Sequence, residues 1–140
     1  MTKFSVTKNG NPLSKKLYTW DEKTKTFSSK EDGLVLDFIG IDGVTFKTGY
    51  FCTFLTGSDC TFKTGSYCTF NTDYSCAFKT GSRCTFITGY SCTFEVGDNC
   101  CLIRYDVHEG ITKIPTGKKI KLNERDIAGY TVIKKMGRKI

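Results

Sequence analysis

From Val44 to Asn99 the chain repeats itself every eight residues, and that period limits what it can fold into. Phe stands at Phe46, Phe54, Phe62, Phe70, Phe78, Phe86 and Phe94. Cys stands at Cys52, Cys60, Cys68, Cys76, Cys84, Cys92 and Cys100. Seven of the 11 Phe and 7 of the 8 Cys therefore share one register. The unit reads C-T-F-x-T-G-x-x. A helix is excluded: a Gly in every second turn costs about 1 kcal/mol each, and Thr, Phe and Cys are mediocre helix formers. An eight-residue repeat would also carry Phe and Cys off any single helical face. The strand reading fits, because the first and third places are apolar while the second and fourth are Thr and a variable residue. Gly with two following polar residues then reads as a turn. Each octad is one short strand and one corner, and such units stack as a β-solenoid.

The variable fourth place sets the coil. It reads Lys47, Leu55, Lys63, Asn71, Lys79, Ile87 and Glu95, charged in odd octads and uncharged in even ones. This alternation predicts two strands and 16 residues per coil, with two facing sheets. The array from 44 to 99 is then three and a half coils, a stack roughly 17 Å tall at a strand spacing of ~4.8 Å. Phe packs on Phe between the sheets, with Cys beside it. Each buried Phe contributes roughly 2–3 kcal/mol before conformational entropy is charged. Phe46→Ala, at an end, is expected to cost less than Phe70→Ala in the middle.

The two raw ends of a short solenoid need covering. Residues 1–43 read as an N-terminal β cap, with strands around Lys3–Thr7, Leu17–Asp21 and Lys25–Ser28, then a first rung at Leu34–Phe38. Residues 44–103 are the octad solenoid. Residues 104–140 read as a C-terminal β cap, with strands at Ile111–Ile114, Lys119–Leu122 and Gly129–Ile133 and a basic tail, Lys134–Ile140, that frays. The expected fold is thus all-β, a small single-chain β-solenoid with β-rich caps, forming one compact unit.

The segments Leu17–Ser28 and Leu34–Phe38, the octads, and the exits Gly97–Val107 and Lys119–Asn123 resemble uncharacterised octad-repeat β-helix proteins of bacteria, prophages and phages. The resemblance implies a small β-helix of the kind carried on mobile elements. It implies no activity and carries over no functional residue. Asp73 stands where that group has Gly, and Ala77 where it has Thr.

The chain has 140 residues and a net charge of +7, from 21 Lys and Arg against 14 Asp and Glu. No apolar run approaches the ~18 residues of a membrane span, and the N-terminus lacks the pattern of a secretory signal. A cytoplasmic location is expected. A single His and scattered carboxylates leave little for catalysis, and Thr116-Gly117-Lys118 lacks the glycine-rich run of a phosphate loop. No enzyme, metal or other cofactor is expected. No C-x-x-C or zinc-spaced Cys/His set occurs, so the Cys columns read as small buried free thiols, with disulfide or metal roles as the alternative. In Cys100-Cys101 one side chain must face outward.

Lys47, Lys63 and Lys79 form a column on one outer face, and Lys and Arg are dense after residue 113. A stacked cationic column repels itself and is relieved by an anionic partner such as nucleic-acid phosphates. The plain alternative is solubility and protection against edge aggregation. Tyr50, Phe51, Tyr67, Tyr74 and Tyr90 fall at corners, where they either stack on bases or wrap the edges. The binding set expected is Lys47, Lys63, Lys79, Tyr50, Tyr67, Arg83 and Tyr90. Exposed Leu55 and Ile87, with Asn71 between them, mark the other face as one for self-association. The leading expectation is a non-enzymatic interaction protein of phage or prophage type. Its partner would be a nucleic acid or nucleoprotein, to the point of inhibiting a host defence complex in an anti-CRISPR-like manner. A virion tail or fibre module and a self-assembling or ice-binding repeat are the alternatives.

Overall fold

The computed structural model describes residues 2–133. The basic tail expected to fray lies outside them. The chain opens with β1 (Ser5–Lys8) and β2 (Asn11–Pro12), then β3 (Thr19–Asp21), β4 (Thr26–Ser28) and β5 (Leu34–Phe38). The octads give β6 (Thr45–Lys47), β7 (Thr53–Thr56), β8 (Thr61–Lys63), β9 (Thr69–Asn71), β10 (Ala77–Lys79), β11 (Thr85–Thr88) and β12 (Thr93–Glu95). After them come β13 (Cys101–Arg104), β14 (Glu109–Ile111), β15 (Lys119–Leu122) and β16 (Tyr130–Ile133). The only helical element is a 3-10 turn at Lys15–Leu17, so among the described residues no helix is long and apolar enough to cross a membrane.

Successive octads alternate between two eight-stranded sheets. Sheet I runs β14-β13-β11-β9-β7-β5-β1-β2, and sheet II runs β16-β15-β12-β10-β8-β6-β4-β3. Octad strands pair in parallel at a step of 16 residues: Thr53 faces Thr69, which faces Thr85, and Lys47 faces Lys63, which faces Lys79. The two-strand coil is therefore as the fourth place predicts. The stack is taller than three and a half coils, because each sheet holds five parallel rungs. β4 and β5 are rungs of the solenoid although they lack the octad motif. Phe27 takes the inward place under Phe46, and Leu36 the place under Phe54. Longer corners break the period there: Thr26 pairs with Thr45 and Val35 with Thr53. Antiparallel strands close both ends. β1 lies on β5, β3 on β4, β14 on β13 and β15 on β12. Pro12, which cannot donate to a ladder, stands on the edge strand β2.

The core is two orthogonal columns of rings. Within a column, successive rings are stacked nearly parallel: Phe54 and Phe70 are 4.9 Å apart at 3°, Phe62 and Phe78 4.8 Å apart at 4°. Across the slab, rings meet edge to face, as with Phe62 and Phe70 at 5.1 Å and 77°. Both geometries suit the ring quadrupole, and each such pair is worth about 0.5–1.5 kcal/mol beyond area burial. Phe4, Tyr18 and Trp20 cover one end, with Phe4 stacked 4.4 Å from Phe38 and Tyr18 5.1 Å from Phe27. Ile120 and Leu122 help close the other. Phe46 is consequently not at an end. It contacts Phe27, Phe38, Phe54 and Phe62, as many rings as Phe70, so the expected difference between the two disappears.

The cysteines are all free, seven of them buried. They do more than fill space. Cys76 Sγ donates to the Gly57 carbonyl at 3.5 Å, and the Cys76 N–H donates to Cys92 Sγ at 3.4 Å. The same pattern recurs at Cys68 and Cys84, so each thiol helps satisfy a corner carbonyl beneath it and a backbone donor of the previous coil. The Cys76 hydrogen bond and burial both push the Cys60 thiol well above its ordinary range. Cys101 is the member that faces outward, 4.0 Å from Thr85 Oγ1.

The corners differ from expectation in one respect. The sixth-place Gly is not where the backbone turns left-handed; that role falls to the eighth place, at Phe51, Asp59, Tyr67, Ser75, Arg83, Ser91 and Asn99. Gly serves close approach instead. A Cβ on Gly81 would lie 2.3 Å from Ser66 Oγ, which accepts from the Ser82 N–H at 2.9 Å. The missing side chain makes room for an oxygen that satisfies the next coil. At Asp73 this fit loosens: Asp73 N to Gly57 O is 3.4 Å and Gly89 N to Asp73 O is 3.5 Å, against 3.1 Å for Gly65 N to Gly49 O. Asp73 accepts from the Tyr105 hydroxyl at 2.8 Å, which fastens the corner to the C-terminal cap.

Candidate nucleic-acid interface

Alternation along each strand sends Cys, Phe and the fifth-place Thr inward, so the second and fourth places face outward. On sheet II the fourth-place column reads Ser28, Lys47, Lys63, Lys79, Glu95 and Lys119. The second-place column beside it reads Thr26, Thr45, Thr61, Ala77, Thr93 and Lys121. Five lysines thus share one face with two carboxylates, Glu95 and, on the cap strand β3 beside Thr26, Asp21. Two of them, Lys119 and Lys121, arrive on β15, an antiparallel cap strand whose placement the octad period does not announce. The salt bridges among the described residues are Lys8–Glu31 and Arg104–Asp106, so none of the five has a carboxylate partner. Neighbouring lysines on adjacent rungs repel each other.

Sheet I presents a different skin. Its columns read Val35, Thr53, Thr69, Thr85 and Cys101, and Asp37, Leu55, Asn71, Ile87 and Ile103. Asp37 is its only charge. Leu55 and Ile87 are half-buried rather than exposed, while Val35 and Ile103 are the more open apolar residues.

The corner aromatics divide between two opposite edges. Tyr50, Phe51, Tyr67 and Arg83 lie where the chain passes from sheet II to sheet I. Tyr74 and Tyr90 lie where it passes back. The seven residues of the expected binding set are therefore not one patch. Lys47, Lys63, Lys79, Tyr50, Tyr67 and Arg83 share a face and its bordering edge, and Tyr90 stands across the slab, stacked on Tyr74 at 4.9 Å and 4°. A period of 16 already implies this, since odd and even corners must turn on opposite sides. Phe51 and Tyr67 stack at 5.0 Å and 13°. Both are half exposed, at 58% and 50%, so the stack is an outer ridge and not part of the core.

Two further features are absent from the expected set. Arg104 falls at the inward fifth place of its strand, paired with Thr88, and is fully buried. It donates to both Asp106 oxygens, at 3.0 and 2.7 Å, and to the Ile127 and Glu124 carbonyls, pinning the segment 124–127 over the end of the core. Burial is the strongest single influence on the Asp106 carboxyl and works against its ionised form, but the Arg104 hydrogen bonds, the Asp126 N–H and the Arg104 charge together hold the group below its ordinary range. This pair is structural. At the other end an open cleft is lined by Lys3, Phe4, Lys15, Tyr18 and Trp20. Nearby, Glu22 accepts from the Trp20 indole N–H at 2.9 Å and from Thr2, which lowers its carboxyl to about 2. Among the described residues no group of three or more His, Cys, Asp or Glu is arranged to hold a metal ion. No protein-family model, no curated protein and no solved structure matches this chain.

Proposed function

We propose that this protein is a non-enzymatic binding module that engages nucleic acid through the outer face of sheet II. The observation that carries the reading is the column Lys47, Lys63 and Lys79, joined on that face by Lys119 and Lys121, none of which forms a salt bridge among the described residues. Stacking cations at about 4.8 Å is unfavourable in isolation and is repaid when phosphates displace the counterions. A rigid parallel ladder fixes the backbone positions from which the amines reach outward. The reading extends to nucleic acid already held in a nucleoprotein. In that setting, a phage- or prophage-type product of this kind would block a host defence complex by occupying its nucleic acid.

The test is fluorescence anisotropy with labelled single-stranded and duplex oligonucleotides across a salt series. The expected result is binding whose log affinity falls with log salt at a slope of about −2 or steeper, as for three or more phosphate contacts. Changing Lys47, Lys63 and Lys79 together to Glu abolishes it. Salt-insensitive binding, or a triple variant that binds normally, contradicts the proposal.

A second reading has its own observation. The outer face of sheet I bears one charge, Asp37, beside Val35, Leu55, Ile87 and Ile103, and suits pairing with another copy of the chain. Light scattering would then show concentration-dependent growth that Leu55→Lys and Ile87→Lys suppress.

A further inference from the structure

The eighth-place residues adopt a left-handed backbone in every octad, with φ between 55° and 62°. Along one edge the chain fills these positions with residues suited to a turn: Gly43, Asp59, Ser75 and Ser91. Along the other edge, where the chain leaves the lysine face for sheet I, it uses Phe51, Tyr67, Arg83 and Asn99, preceded by Gly33. Large L-residues are disfavoured there, and half-exposed rings gain little from burial. The fold itself therefore gives no reason for Phe51 and Tyr67.

Their arrangement supplies one. Tyr67 stacks on the face of Phe51 that looks toward the next coil. The opposite face looks toward the preceding coil, where the matching corner residue is Gly33, since Leu34 and Val35 align with Cys52 and Thr53. Gly33 has no side chain, its φ is +72°, and a Cβ built on it would touch nothing within 4 Å. The ridge thus ends in an open ring face over a vacant corner. Rings 5.0 Å apart leave no room for a base between them, so this end face is the stacking platform. Lys47 and Phe51 are four residues apart, which limits their Cα separation to at most about 14 Å.

We infer that the space over Gly33, floored by the Phe51 ring, is a stacking slot for one unpaired nucleobase, and that the strand bound by the lysine face is single-stranded. This rests on the reading of that face as a nucleic-acid surface. The occupant follows from the face that the corner adjoins: the Asp32 carboxylate at this corner is taken up by the Tyr50 N–H at 2.9 Å and Glu31 by Lys8, so a flat aromatic group would arrive attached to phosphates held farther along by the lysines of sheet II. A duplex keeps its bases stacked inside and offers none. Base–aromatic stacking tolerates any sequence.

The probe is a 12-nucleotide thymidine oligomer carrying one 2-aminopurine, compared with its duplex. The native chain is expected to prefer the single strand and to change the 2-aminopurine emission on binding. Phe51→Gly removes the platform while relaxing the backbone, and is expected to weaken single-strand binding about tenfold and erase the preference. Gly33→Tyr fills the slot by extending the stack, in a backbone conformation that Tyr67 already adopts, and is expected to do the same. A thermal melt confirms that both variants fold. If both bind the single strand as the native chain does, with the same emission change, the slot is refuted while the lysine face stands, provided the triple lysine variant has lost binding. If the native chain binds neither oligonucleotide, both proposals fall.

Discussion

The two sheets of this solenoid share strand length, a register step of 16 residues, one interior of stacked Phe and an outward Thr column, yet the columns beside the Thr differ sharply in charge. Sheet II's outer face carries five lysines against Glu95 and Asp21, and sheet I's a single Asp. The two edges repeat the lesson: one backbone geometry is filled with Gly, Asp and Ser on one side, whereas on the other Phe, Tyr and Arg stand between Gly33 and Asn99. The interior and the backbone explain what is common to both halves. They do not explain the asymmetry, so the asymmetry is where function is to be sought.

The largest expected effect breaks both faces at once. Phe46→Ala and Phe70→Ala should each cost about 3–5 kcal/mol in urea unfolding, because each ring is fully buried amid four others. A markedly milder Phe46→Ala would show that the flanking rungs do not extend the core. Next, Leu55→Lys with Ile87→Lys should build a short cationic column on sheet I. Oligonucleotide affinity at low salt is then expected to rise about tenfold, with the salt slope steeper by about 0.7 per lysine engaged. Unchanged affinity would mean that an aligned lysine column is not enough.

The edges give a smaller effect on stability. Phe51→Gly and Ser75→Gly are each expected to shift the unfolding free energy by less than about 1 kcal/mol, since relief of the left-handed backbone is offset by glycine's greater unfolded entropy. Only Phe51→Gly should weaken oligonucleotide binding. The smallest effect is at the N-terminal cap. Glu22 is held at about 2 by the Trp20 indole, so its contribution is complete above its ordinary value of 4.5 and is lost as pH falls through about 2. Glu22→Gln should flatten the loss of thermal stability across that window and leave neutral pH nearly unchanged. An unaltered acid profile would refute the assignment.

Much of this was legible in the chain because a repeat states its own rule many times. Seven Phe in register and an alternating fourth place contain the two-sheet coil, the inward rings and the lysine column. The flanks were harder. Phe27 and Leu36 lie out of phase with the octads, because the corners between Ser28 and Leu34 and between Phe38 and Thr45 are longer; Leu102 stays in phase, but its octad keeps little beyond Cys100 and the inward residue. The backbone role of the eighth place was hidden because the conspicuous Gly sits two positions earlier, for close packing. Lys119 and Lys121 reach the lysine face by an antiparallel return, which periodicity cannot register. Arg104 could have been found: it occupies the inward place that Thr fills in the octads, where a lone cation demands a buried partner.

The most direct test of the account is the salt dependence of oligonucleotide binding, measured side by side for the native chain and for the chain with Lys47, Lys63 and Lys79 changed to Glu. The account predicts tight binding at low salt, a steep decline as salt rises, and no binding by the variant despite an unchanged melting profile. Equal affinity for the two proteins, or a native affinity indifferent to salt, would contradict it.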